Sequence, residues 1–120
     1  MSNLMEAITG AGSGEDPRFP HAPAGWTEAQ GAQAARGEGL DPGEDLWEVV
    51  RALQDYWARH EPTDVNLREL HDALEERFHH KGGMKHLYRL LPGGPVAQGC
   101  RLAGLKAPAG AVDKGFGSVA

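Results

Sequence analysis

The chain has 120 residues, 40% hydrophobic and 24% charged, with 17 Gly and 8 Pro concentrated before Trp26 and after Gly93. That allows one small domain at most, with a packed part shorter than the chain. A net charge of −5 disfavours nucleic acid as a main partner, no apolar run nears the roughly 20 residues of a membrane helix, and the single cysteine excludes an internal disulfide.

Met1–Gly14 shows no basic region followed by an apolar stretch, so no signal peptide is read and the cytoplasm is the expected compartment. Residues 1–25 read as an irregular arm. It has Gly-Ala-Gly-Ser-Gly at 10–14, then Pro17, Pro20 and Pro23, and no sustained periodicity. Thr27 and Gln30 form a capping-box pair that opens a short Ala/Gln-rich helix ending near Gly37.

The second helix carries the strongest pattern. Asp41 is its expected N-cap, Pro42 suits the first helical position and Glu44 completes a capping box. Leu46, Val50, Leu53 and Trp57 recur at helical spacing, Trp47, Val49 and Tyr56 widen the stripe, and Pro62 stops it. Thr63 or Asp64 is expected to cap a third helix. Leu67, Leu70, Leu74 and Phe78 share one face, Glu69, Asp72, Glu75 and Glu76 lie mostly on the other, and Gly82-Gly83 ends it.

A short fourth helix turns Met84, Leu87, Tyr88 and Leu91 inward. Pro92-Gly-Gly-Pro95 then breaks the chain. Pro95 opens a fifth helix, Val96–Ala103, with Gly104 as its stop, and a tail of small residues follows Leu105. No segment reads as a strand. The expected fold class is all-α, a compact bundle of about five short helices over 26–105, with the arm 1–25 before it and a flexible arm 106–120 after it.

Most chemical motifs are absent or bland. Six histidines include His71, His79, His80 and His86, but their spacing is not that of a helical zinc motif, and solvated histidines are the simpler reading. Asp72 and Glu76 lie among many charges on a polar face and take no acid/base role. The third helix could pass for the reading helix of a helix-turn-helix, yet its exposed face is acidic and repels phosphate. No Ser-His-Asp set, phosphate loop or dinucleotide fingerprint occurs, and no metal or cofactor is expected.

Charge is unevenly distributed. Of the 17 acids, all but Asp113 lie at or before Glu76, and Arg77–Val112 contains none. That stretch holds Arg77, Lys81, Lys85, Arg89, Arg101 and Lys106, and Cys100 with them. A lone cysteine is by default a small buried hydrophobe. An acid-free, basic setting offers the alternative, a field that favours thiolate, provided the thiol is partly exposed. Cys100, with Arg101 beside it, is therefore the candidate nucleophile.

The segment Pro92-Gly-Gly-Pro-Val-Ala-Gln-Gly-Cys-Arg-Leu-Ala-Gly-Leu105, continued by Pro108-Ala-Gly-Ala-Val112, resembles the C-terminal signature of the DsrC/TusE sulfur-relay family. Gly39–Leu53 resembles that family's second helix, and Trp26, Arg68, Lys81-Gly82 and Leu87-Tyr88 also fall on family-like positions. The likeness covers about residues 26–112. It implies a helical bundle with a mobile C-terminal arm, and a sulfur carrier or accessory protein rather than a stand-alone enzyme. Implied partners are sulfur-transfer proteins or dissimilatory sulfite reductase subunits, with no nucleic acid bound directly and no membrane. It also implies Cys100 as the thiol that bears a persulfide or mixed disulfide, with Arg101, Arg68 and Lys81 as basic support.

The family's opening β-hairpin has at most a remnant in residues 1–25. The family's main carrier cysteine stands near the end of the arm, and the matching position here, eleven residues after Cys100, is Ala111. Lys106 replaces an expected proline, and Asp113–Ala120 extend past the family's usual end. An alanine bears no persulfide, so a bridged two-cysteine mechanism is excluded within this chain. Two readings remain: sulfur relay through Cys100, in sulfur metabolism or tRNA thiolation, or a non-catalytic member that binds the same partners and regulates.

Overall fold

Apolar residues at three- and four-residue spacing close into five α-helices among the residues described by the computed structural model, 16–61 and 64–111. They are α1 (Glu28–Gly37), α2 (Glu44–Arg59), α3 (Leu67–Arg77), α4 (Met84–Leu90) and α5 (Ala97–Ala103). A 3₁₀ turn, His79–Lys81, joins α3 to α4. No strand occurs among the described residues, so residues 16–25 hold no hairpin, and the rest of that expectation falls on residues 1–15, outside them.

The widest apolar stripe makes α2 the centre of the bundle. Leu46, Trp47, Val49, Val50, Ala52 and Leu53 are all buried on it. α5 packs against both α2 and α1, and α4 against α2. Small residues set these approaches. A Cβ on Gly99 of α5 would stand 2.7 Å from Leu53 Cδ1 of α2, and one on Gly31 of α1 would stand 3.3 Å from Leu102 O of α5.

Local chemistry sets some helix ends and tertiary contacts move others. Thr27 and Gln30 form the full capping box of α1. Asp41 does not cap α2. Its carbonyl accepts the Gly43 N–H at 2.8 Å in a tight turn, so the helix starts at Glu44 with Gly43 as an N-cap that has no side-chain bond. The Glu44 carboxylate closes no box; Arg18 and Arg51 take it instead. α3 is capped by Asn66, whose Oδ1 accepts the Glu69 N–H at 3.1 Å, and not by Asp64; Thr63 lies outside the described residues. α5 ends as its sequence suggests, at Gly104 with φ +78°, in the left-handed region that favours glycine.

Residues 16–25 form turns, but they belong to the core. Phe19 is fully buried, edge-on to Trp26 at 5.0 Å and to Trp47 at 5.6 Å. Burying a ring of that size stabilises by about 1.5–3 kcal/mol. Arg18 adds ion pairs to Glu28 at 2.5 Å and Glu44 at 3.1 Å. The arm 106–120 is described only as far as Ala111.

Candidate functional site

Cys100 sits midway along α5, on the face turned into the core, and is 0% exposed. Burial pushes its thiol up to about 12, and no positive side chain offsets that effect. Desolvation penalises the charged form of any acid, and here it acts unopposed. At neutral pH only about one thiol in a hundred thousand is then ionised. The expected partial exposure and thiolate-favouring field are therefore not found in this fold.

The reason is that folding mixes what the sequence separates. Arg101 Nη2 reaches Glu38 Oε1 at 2.7 Å and its Nε reaches Oε2 at 3.1 Å, across 63 positions. Lys81 Nζ pairs with Glu48 at 2.5 Å and Asp45 at 3.6 Å on α2, and Glu48 holds it above its ordinary value. Arg77 approaches Asp55, whose carboxyl is held low chiefly by its bond to Arg59. The acid-free stretch is acid-free only along the chain. Arg68 is exposed in the first turn of α3. These basic residues are not gathered around the thiol.

Four side chains seat α5. Trp26 Nε1 donates to Leu102 O at 2.8 Å, and buried Gln54 donates through Nε2 to Ala103 O at 3.0 Å. Glu38 accepts Gln98 Nε2 at 2.9 Å as well as Arg101, and Gln98 Oε1 accepts the Gly93 N–H at 2.8 Å. Sequence reasoning marked Trp26 but missed Glu38, Gln54 and Gln98. Two of these left a signal. Glu38 is an acid at a helix C-terminus, where the helix dipole disfavours negative charge, so a compensating cation is required. Gln54 is an amide beside an apolar stripe, 1% exposed, and an amide so placed needs a partner.

Ala111 lies elsewhere. It lines, with Gly110, a groove of about 170 Å³ bounded by Leu67 and His71 of α3, Tyr88 of α4, and the Gly94–Ala97 turn. Ala111 is half-buried, and its N–H bonds Pro108 O at 3.2 Å. A second cavity of about 230 Å³ between α2 and α3 is rimmed by Asp55, Arg59 and Arg77, which are already paired with one another. No three metal-ligating side chains converge among the described residues, and none of the described helices is long and apolar enough to cross a membrane.

A family model described as DsrC like protein matches residues 15–112. The chain belongs to the DsrC family. Sulfurtransferase TusE from Escherichia coli (strain K12) is 36% identical to this DsrC-family chain over 84 residues, covering 69% of it and 76% of the relative. TusE from Salmonella typhimurium (strain LT2) matches to the same extent. No solved structure matches. The DsrC match begins ahead of Phe19 and ends just after Ala111, so it takes in both the buried aromatic arm and the groove.

Proposed function

We propose that this chain is a cytoplasmic sulfur-relay protein that binds sulfur-transfer partners without carrying sulfur in its resting fold. Kinship with sulfurtransferases supports the relay role. The observation that carries the rest is the complete burial of Cys100, the chain's single thiol, with its ionisation driven up to about 12. A persulfide forms when a thiolate attacks a donor sulfur, and a thiol that is neither exposed nor ionised makes that attack slow. Ala111 supplies a reachable position but no sulfur.

The second reading keeps sulfur on Cys100 as a persulfide or mixed disulfide. One observation favours it: this thiol stands inside the family-like motif, flanked by Arg101. It requires that α5 first release the side chain. Without a second cysteine, any sulfur taken up has to be resolved by another molecule.

One experiment separates the two. The wild type, Cys100→Ser and Ala111→Cys are incubated with a persulfide donor and weighed intact. The expected result is no adduct on the wild type and one added sulfur on Ala111→Cys. A sulfur adduct on the wild type that Cys100→Ser abolishes would overturn the non-carrier reading. Partner binding is checked by co-purification with sulfur-transfer proteins, and with sulfite reductase subunits as the alternative. Retention is expected to survive Cys100→Ser.

A further inference from the structure

Helix α5 is seven residues long, too short to stay helical in water by itself. What docks it is tertiary. Its apolar side rests on α2, with Gly99 close against Leu53. Its C-terminal end is tied by Trp26 and by Gln54, each bonding a main-chain carbonyl. Its side chains Gln98 and Arg101 are fastened differently, to the carboxylate of Glu38. Glu38, at the end of α1, takes Gln98 Nε2 at 2.9 Å, Arg101 Nη2 at 2.7 Å and Arg101 Nε at 3.1 Å. Gln98 extends the order to the preceding turn by accepting the Gly93 N–H. Residues 93–101 thus hang on a chain of contacts that starts at Glu38. Gly94, at φ +118°, and Gly104, at +78°, bracket the helix with backbone that carries no Cβ to hinder a swivel.

We propose that Glu38 is a latch: it holds the Cys100-bearing part of α5 against α1, and its release exposes Cys100 by local opening while the rest of the bundle stays folded. Its setting separates it from an ordinary surface ion pair. The Glu38 side chain is 15% exposed, whereas Arg18 and Glu44, 47% and 60% exposed, exchange partners with water at little cost. Glu38 also satisfies Gln98, itself buried. Replacing the carboxylate with an amide leaves one acceptor oxygen where two served Gln98 and Arg101 and removes the charge that pairs with Arg101, both on the segment that carries Cys100. This reaches beyond the proposed relay role and does not depend on it, because the latch is read by solvent access and not by sulfur transfer.

The test is the rate at which a maleimide labels Cys100 in native buffer and across a urea series below the unfolding transition. Glu38→Gln is expected to label at least about tenfold faster than wild type, with a shallow urea dependence that marks local opening. Glu44→Gln, which removes an exposed pair, is expected to label as wild type does. Should Glu38→Gln fail to fold, Arg101→Gln carries the same test from the outer end of the pair. Labelling unchanged from wild type overturns the latch. So does acceleration that follows the steep urea dependence of global unfolding, since that is mere loss of stability.

Discussion

Positions 100 and 111 are the two places where this family's sulfur chemistry is expected, and the molecule treats them in opposite ways. Position 100 has a thiol but no solvent: Cys100 is sealed between α5 and the core. Position 111 opens on a groove but has no thiol: Ala111 borders Leu67, His71, Tyr88 and Pro95. The contrast teaches that reactivity belongs to a place in the fold and not to a residue type. The same cysteine side chain would be inert at one position and competent at the other.

Moving the thiol gives the largest expected effect. Ala111→Cys in a Cys100→Ser background is expected to be alkylated on the order of a thousandfold faster than wild-type Cys100 near pH 7. A thiol near its ordinary value has about a thousand times the thiolate fraction of one at about 12. Single-thiol kinetics with iodoacetamide measure it, and equal rates would erase the distinction between the two positions.

A stability measurement against pH sharpens the same contrast. Cys100 stands at about 12 in the folded chain against an ordinary 9.0. Between these values the unfolded chain loses the thiol proton and the folded chain keeps it, so stability is complete below pH 9 and falls as pH rises toward 12. The full loss is about 4 kcal/mol, and Cys100→Ala is expected to remove it. The difference between the two urea-unfolding curves over that range isolates the thiol from the lysines and tyrosines that also titrate there.

The smallest effect concerns the seat of α5. Trp26→Phe keeps a ring against Phe19 but deletes the donor to Leu102 O. It is expected to cost about 1 kcal/mol by urea unfolding, and to raise labelling at position 100 with no change at a cysteine placed at 111. An equal change at both positions would show that the arm and α5 open together.

Legibility in the sequence followed the range of the interaction. The Thr27–Gln30 box, the stop at Gly104 and the stripe on α2 rest on residues three or four apart, and the structure holds them as expected. The caps of α2 and α3 were misplaced because rival local partners exist. Asp41 is used by a turn, Glu44 by Arg18 and Arg51, and Asn66 stands closer to the first turn of α3 than Asp64 does. Phe19 was hidden among prolines with no periodicity around it, and its burial depends on Trp26 and Trp47 arriving from elsewhere.

By itself, the sequence determined that the chain is helical, that it carries the DsrC-type motif, and that it has one thiol and none at position 111. These are matters of residue identity and short spacing. Only the tertiary structure decided what surrounds that thiol. Glu38, 62 positions before Cys100, brings its carboxylate to the basic segment, and the packing of α5 on α1 and α2 removes the water that ionisation needs. Charge and solvation are set by neighbours in space, and a linear run of basic residues does not report them.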